Sequence, residues 1–153
     1  MAEIRYDMPV RYIVLNNGNL VIERWVGKIS HAEVIDHERQ QLNDISIKRG
    51  ARILADTREA VFPETTIGDR LDELMELHSD PKNKTTIAKC ALVVNDETWA
   101  QAKAIEAGTE KHDMAFIAFT TLDIACAWLG IDYDAAMNHL KQLEPIKPFA
   151  GGN

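Results

Sequence analysis

The sequence predicts a single α/β domain with a mixed, mainly parallel sheet of about five strands, an N-terminal hairpin and crossover helices. Short apolar runs alternate with longer helical patterns along most of the chain. Such alternation is typical of parallel strands joined by right-handed crossovers. The chain has 153 residues, which suits one domain with a sizeable core. An Asn-Gly step near the start adds a hairpin to this pattern.

The first two strands and the first helix are predicted from local signals. The runs Arg11–Leu15 and Leu20–Gly27 flank the sequence NNGN, and Asn and Gly adopt a positive φ at little cost. Ser30 and Glu33 have the spacing of a capping box, so a helix is expected to begin after Ser30. The residues expected to share one face of this helix are Ala32, Val34, Ile35, Leu42 and Ile45.

Three further strands are predicted from short apolar runs in the middle of the chain. They lie at Ala51–Asp56, Thr85–Asp96 and Met114–Thr121. A loop is expected directly after Asp56. The residues expected in the core of the sheet are Ile53, Ala91, Val93, Phe116 and Ile117.

Four more helices complete the predicted order. One begins at Ile67, one is capped by Asp96, a short one stops at Gly130, and the last spans Asp132–Leu143. We expect the domain to span residues 10–144. It would lie between an N-terminal segment, 1–9, and a loose C-terminal tail, 145–153.

Composition and charge argue against several classes of function. The net charge is −7, and an acidic chain repels the phosphate backbone, so no nucleic-acid partner is expected. No apolar run approaches the roughly 18 residues of a membrane span, so no transmembrane segment is expected. Cys90 and Cys126 each lie in an apolar run, which favours reduced, buried thiols of a cytoplasmic protein.

Catalytic and cofactor motifs are not visible in the sequence. It contains no Gly-x-Gly-x-x-Gly, no Gly-Lys-Ser/Thr, no Gly-x-Ser-x-Gly and no Cys-x-x-Cys. Glu33 and His37, at i,i+4, could share a metal ion, but an exposed Glu–His pair is the simpler interpretation. His78 is expected to be a satisfied, half-buried histidine. We therefore expect no cofactor, no metal and no enzymatic activity.

Two adjacent hydroxyls, Thr65 and Thr66, come just before the helix that begins at Ile67. The simplest interpretation is that one of them caps this helix. A phosphoacceptor or anion site is compatible with capping, because a helix N-terminus also binds anions. Both interpretations stay open at this point.

The three tryptophans are the other candidates for a functional surface. Trp128 lies on the apolar side of a short helix and is expected to anchor the core. Trp25 and Trp99 are expected to be partly exposed, where either could line a ligand cavity or an interface.

The chain contains the predicted strands "ILAD", "CALVVND" and "FIAF" in this order, each followed by a helix. The short helix after "FIAF" carries Ala125, Trp128 and Leu129 as Ala-x-x-Trp-Leu. This order and ending, over about Val10–Ile131, resemble the SpoIIAA-like branch of the STAS superfamily. The resemblance implies a STAS-like fold and a non-catalytic regulatory or protein-interaction module.

The resemblance also implies site residues. Anti-sigma-factor antagonists of this superfamily carry an Asp-Leu-Ser segment and then Asp-Ser-Ser-Gly-Leu-Gly at the start of the second helix, and the first serine of this second motif is phosphorylated. Asp56 matches the first Asp, Glu64 the second, and Thr65 and Thr66 the serines, while Gly68 falls one place late. Thr65 would then be the phosphoacceptor.

Three functional classes follow from these observations. The first is a module that docks on a protein partner or forms a homodimer. The second is a carrier of a small apolar ligand or lipid, because this branch has been grouped with lipid-transfer domains of the CRAL-TRIO type. An apolar cavity between sheet and helices would favour the carrier. An uncharacterised enzyme is the third and weakest class.

Overall fold

A computed structural model describes residues 9–63, 67–79, 87–109 and 115–144 of the chain. These residues form five strands and five α-helices in a single α/β domain. The strands are β1 (Val10–Leu15), β2 (Leu20–Lys28), β3 (Ala51–Val61), β4 (Ile87–Val93) and β5 (Ala115–Phe119). The helices are α1 (His31–Leu42), α2 (Ile67–Ser79), α3 (Trp99–Thr109), α4 (Leu122–Leu129) and α5 (Tyr133–Gln142).

The strands form one sheet in the order β1-β2-β3-β4-β5. Strands β1 and β2 are antiparallel, whereas β2, β3, β4 and β5 are parallel neighbours. The predicted mixed, mainly parallel sheet with an N-terminal hairpin is confirmed. Among the helices of the described residues, none combines the length and the apolar character that crossing a membrane requires.

The hairpin turn depends on residues that tolerate a positive φ. Asn16 and Asn17 have φ values of 53° and 56°, and Gly18 has a φ of 91°. A Cβ atom at Gly18 would overlap the carbonyl oxygen of Ser46, so glycine is required there for space as well as conformation.

Helix α1 begins as the sequence predicts, but the face that it buries matches the predicted one only in part: Ile35 is buried and Val34 is partly buried. The Ser30 hydroxyl accepts a hydrogen bond from the Glu33 amide, and the Glu33 carboxylate accepts one from the Ser30 amide. The predicted apolar face is wrong at Ala32, which is exposed, and at Ile45, which lies beyond the helix and is fully exposed. The side chains that α1 buries are Ile35, His37 and Gln41.

Strand β3 is longer than predicted, so the expected loop after Asp56 is a correction. After a bulge in β3, where Thr57 and Arg58 oppose Trp25 of β2, Val26 pairs with Glu59 and Lys28 pairs with Val61, which extends β3 to Val61. This extension lies beyond the pairing with β4, which ends at Asp56, and its Arg58 and Glu59 side chains are exposed, so polar residues are tolerated there. Asp56 therefore lies within the strand.

Two other helix ends test the sequence predictions. The predicted cap by Asp96 is wrong, because α3 begins at Trp99 and its first backbone hydrogen bond runs from the Ala102 amide to the Thr98 carbonyl. Asp96 lies in the preceding turn, where the Asn95 Oδ1 atom accepts the Thr98 amide at 3.0 Å. Gly130 ends α4 with a φ of 70°, as predicted.

The sheet is covered on both faces. Helices α4 and α5 pack on one face, where Leu54, Ala91 and Val93 are buried. The other face carries Ile53 and Cys90 and lies beneath α1, α2 and α3. Of the predicted core residues, Ile53, Ala91 and Val93 are buried, and Phe116 and Ile117 are partly buried.

Candidate functional site

A cavity of about 190 Å³ lies between the sheet and the helices α1, α2 and α3. Alternation along the strands turns Ala55 and Cys90 towards this layer, and Ala102 of α3 lies on its helical side. These three side chains are small, and their size leaves space where close packing would otherwise continue. The cavity is therefore a consequence of small residues on facing elements.

The wall of the cavity is mainly apolar. Larger side chains surround its small residues, including Trp25, Ile29, Phe62, Leu92, Ile105 and Phe116. The aromatic rings of Trp25 and Phe62 lie 5.9 Å apart. An apolar lining with a few polar groups is typical of small-molecule sites.

A buried carboxylate, Glu23 of β2, lies at one side of the cavity. It accepts hydrogen bonds from Trp25 Nε1 at 2.9 Å, from His37 Nε2 at 3.1 Å and from the Gln41 side-chain amide. Trp25, His37 and Gln41 are also buried. The carboxylate is thus satisfied by the protein, as a buried charge must be.

The His37 ring lies between two aromatic rings. Its centroid is 5.0 Å from that of Trp25 and 5.8 Å from that of Tyr12, and both pairs are edge-on. The tyrosine hydroxyl donates to Asp44 at 2.7 Å. These contacts hold His37 on α1 against strands β1 and β2.

Two further His–Glu pairs join α1 to α2 beside the cavity. His31 Nε2 lies 2.7 Å from Glu73 Oε2, and His78 Nε2 lies 3.1 Å from Glu38 Oε2. His31 and Glu38 line the cavity. His78 is half-buried and satisfied, as the sequence predicts.

Burial and charge oppose each other in this region. Burial lowers the pKa of His37, but the charge and hydrogen bond of Glu23, with the charge of Glu38, raise it to a net value above 6.5. Burial raises the pKa of Glu38, but the hydrogen bond from His78 and the charges of His37 and His78 bring it below 4.5. Both shifts favour the ionised forms of His37 and Glu38.

Both cysteines are free and buried, as predicted. Burial raises the pKa of Cys90, which lines the cavity, well above its ordinary value, with smaller contributions from Glu23 and Glu38. Burial also raises the pKa of Cys126 on the opposite face. Neither thiol has the lowered pKa of a nucleophile.

The structure separates the three candidate tryptophans. Trp25 is buried and lines the cavity, so the expected partial exposure is wrong for this residue. Trp99 is partly exposed on α3, with the Lys103 ammonium 5.0 Å from its ring centre. Trp128 packs on the opposite face of the sheet, 5.7 Å from Phe119. Among the described residues, Trp25 is thus the tryptophan of this cavity.

The candidate phosphoacceptor site falls only partly within the described residues. Glu64, Thr65 and Thr66 lie outside the described residues. Gly68 lies in the first turn of α2. Asp56 lies within β3, where its carboxylate accepts two hydrogen bonds from the guanidinium group of Arg58, at 2.9 and 2.8 Å.

Sequence reasoning missed the partner of His37 and the role of Glu23. The expected exposed pair of Glu33 and His37 is wrong, because Glu33 belongs to the capping box and His37 is buried against Glu23. A signal was present: in a strand of period two, Glu23 shares a face with Val21 and Trp25, which indicates a carboxylate on the buried side.

No protein-family model matches the chain, and no curated protein matches it. Among solved structures, it is similar to an uncharacterised protein of the DUF3478 family, with a SpoIIAA-like fold, from Shewanella loihica PV-4. The identity is 16% and the TM-score is 0.51, over 84% of this chain and 95% of that one. At this identity the likeness concerns the fold alone. The chain therefore has a SpoIIAA-like fold, the fold that its element order and its Ala-x-x-Trp-Leu ending predict.

Proposed function

We propose that this protein is a non-catalytic, cytoplasmic binding protein or carrier for a small apolar ligand. The observation that supports this function is the cavity between the sheet and helices α1–α3. Its volume of about 190 Å³ exceeds the roughly 150 Å³ of an engineered apolar cavity that binds benzene. The volume suits a ligand with one ring and a short substituent, and it is too small for a long-chain lipid.

The wall favours such a ligand for a physical reason. Transfer of an apolar surface from water to the cavity contributes about 25 cal/mol per Å². Trp25, Phe62 and Phe116 offer aromatic surfaces against which a ring can pack. A pre-formed site also avoids the cost of ordering loops on binding.

Native mass spectrometry of freshly purified protein is the first test. A bound small molecule of reproducible mass is the expected result. Titration of the apo protein with single-ring compounds is the second, with Trp25 as the fluorescent reporter in a variant carrying Trp99→Phe and Trp128→Phe. If no ligand co-purifies and no compound of this size changes the Trp25 emission, the proposed function is rejected.

The second candidate is a regulatory or protein-interaction module acting through a protein partner or a homodimer. Two large apolar side chains support it: Ile124 of α4 and Tyr133 of α5 are exposed. Sedimentation of the wild type and of Ile124→Asp at high micromolar concentration tests for the homodimer. A wild-type monomer under these conditions excludes it.

This second candidate includes a phosphorylation site. We propose that Thr65 or Thr66 accepts a phosphate, with Asp56, Glu64 and Gly68 at supporting positions. A phosphate at Thr65 adds roughly −1.5 to −2 charges beside Glu64, so it should release a partner. Thr65→Ala and Thr65→Glu should then recover different partners from a lysate, and identical recovery would contradict the switch.

A further inference from the structure

We infer that the cavity selects a ligand whose polar group donates hydrogen bonds, and that its preferred class is a small aromatic or branched apolar amine. The inference rests on the proposed function, because it names the chemistry of the ligand that this cavity would take. It depends on which hydrogen-bonding groups of the wall are already used within the protein.

The two carboxylates that line the cavity, Glu23 and Glu38, can each accept further hydrogen bonds. Glu23 accepts from three donors, and an ionised carboxylate has about four acceptor positions. Glu38 accepts a hydrogen bond from His78. Among the described residues, this is the one donor to the Glu38 carboxylate. Glu38, which is the less occupied of the two carboxylates, is therefore the expected contact for a donor group.

Most hydrogen-bond donors of the cavity wall already donate to other groups of the protein. The Thr57 hydroxyl donates to the Val93 carbonyl at 2.8 Å. The Thr98 hydroxyl lies 3.1 Å from Asn95 Oδ1 and can donate to it. These protons are not available to a ligand without the loss of an existing hydrogen bond.

The histidine at the wall uses one of its two ring nitrogens within the protein. His31 Nε2 contacts Glu73 at 2.7 Å. The side-chain amide of Gln101 is the main uncommitted donor among the lining residues that the structure describes. The wall therefore offers more unused hydrogen-bond acceptors than unused donors.

The charges of the lining residues also favour a ligand that donates hydrogen bonds. Among the described lining residues there is no lysine or arginine, so an anionic group would enter without a permanent cation beside it. Burial of an unpaired carboxylate is strongly unfavourable. An ammonium group beside Glu38 would instead gain a charge-assisted hydrogen bond.

The aromatic wall adds to this preference. Trp25, Phe62 and Phe116 line the cavity, and the face of an aromatic ring carries a negative quadrupole. Such faces attract a cation and do not attract an anion. Both the polar and the aromatic parts of the wall thus favour an amine over a carboxylic acid.

The test compares three ligands that share one ring: benzylamine, benzyl alcohol and benzoate. At neutral pH they present a cationic donor, a neutral donor and an anion. Each is titrated into the variant with Trp25 as its single tryptophan. We expect benzylamine to bind at least about tenfold more tightly than benzoate, with benzyl alcohol between them.

Glu38→Gln provides the second arm, because it removes the charge and keeps the shape. Asp36→Asn is the matched control, since Asp36 lies on the same helix, is exposed and does not line the cavity. We expect Glu38→Gln to remove most of the amine's advantage over benzyl alcohol, and Asp36→Asn to retain it.

The outcomes separate the two proposals. If none of the three compounds binds, the amine preference is wrong; the proposed function fails as well if no ligand co-purifies and no other single-ring compound changes the Trp25 emission. If benzoate binds as tightly as benzylamine, the cavity binds ligands but the amine preference is wrong. Equal effects of Glu38→Gln and Asp36→Asn would also overturn the preference. The ligand series requires no change at Glu38, so it decides the inference even if Glu38→Gln does not fold.

Discussion

The Nε2 atom of His37 lies 3.1 Å from a carboxylate oxygen of Glu23, and both side chains are buried. The pair joins helix α1 to strand β2 at the side of the cavity. Trp25 and Gln41 supply two further donors to the same carboxylate. The polar part of the wall is therefore held in place by hydrogen bonds before any ligand arrives.

Glu23→Ala tests how much this arrangement stabilises the fold. The change leaves buried donors of Trp25, His37 and Gln41 without their acceptor. Loss of one partner of a buried pair costs about 3–5 kcal/mol, so we expect a fall of that size in the free energy of unfolding, measured with urea.

Glu59→Ala is the control for this prediction. Glu59 pairs with Arg24 at 2.6 Å, but its side chain is largely exposed. Exposed ion pairs contribute about 0–1 kcal/mol. Similar losses for Glu23→Ala and Glu59→Ala would contradict the central role of Glu23.

The pKa shifts predict a pH window of greatest stability. The raised pKa of His37 gives a contribution that is complete below pH 6.5 and is lost as the pH rises through its folded-state value. The lowered pKa of Glu38 gives a contribution that is complete above pH 4.5 and is lost as the pH falls through its folded-state value. Both contributions are complete between these two values.

His37→Gln isolates the histidine's contribution to this window. Urea midpoints of the wild type and the variant are compared from about pH 4 to about pH 9. We expect their difference to be largest on the acidic side of the histidine titration and to narrow as the pH rises through it. A difference that stays constant over this range would show that the charge of His37 does not contribute.

The sequence predicts the elements that depend on local patterns. The Ser30 capping box, the hairpin at Asn16 and the stop at Gly130 are each specified by a few adjacent residues. The extension of β3 beyond Asp56 depends on pairing with the distant strand β2, and local hydrophobicity does not report it.

The candidate site is harder to predict because it is formed across layers. His37 meets Glu23 only when α1 packs on β2, and a helical pattern by itself gives no such partner. The cavity depends on Ala55 of β3 and Ala102 of α3 lining the same space. Either alanine alone has the ordinary pattern of a packed core residue.

Cys90 and Cys126 predict a contrast in thiol labelling. Both are buried with raised pKa values, so we expect slow native labelling by a maleimide and fast labelling of both after denaturation. Cys90 lines the cavity, and Cys126 lies on the other face of the sheet. Benzylamine should therefore slow the labelling of Cys90 alone.

Cys126→Ser and Cys90→Ser leave one thiol each and allow the two rates to be measured separately. Rapid native labelling of Cys90 would contradict its burial. Equal protection of both thiols by benzylamine would indicate a general stabilisation instead of occupation of the cavity.

Gly18→Ala and Gly50→Ala are compared to distinguish the cost of a steric overlap from the cost of a positive φ. Both glycines have a positive φ, and the left-handed conformation costs a residue with a Cβ about 1–2 kcal/mol. A Cβ at Gly50 would meet nothing within 4 Å, whereas one at Gly18 would overlap the Ser46 carbonyl. We expect Gly18→Ala to reduce the free energy of unfolding by about 1–3 kcal/mol more than Gly50→Ala. Equal losses in thermal or urea unfolding would mean that the turn moves away from Ser46 at little cost.

Ala102→Leu tests whether the cavity is empty space that a side chain or a ligand can fill. Ala102 is buried on α3 and lines the cavity, so a leucine there would fill part of the empty apolar volume. Cavity filling commonly raises the free energy of unfolding by about 0.5–2 kcal/mol, and we expect a gain in that range. The same side chain should abolish binding of benzylamine and benzyl alcohol, because it occupies their site.

Ala104→Leu is the matched control, since Ala104 lies on the same helix and is exposed. It should leave binding unchanged. If Ala102→Leu destabilises the protein by more than about 1 kcal/mol, as overpacking does, the region is already filled and no ligand of this size can enter.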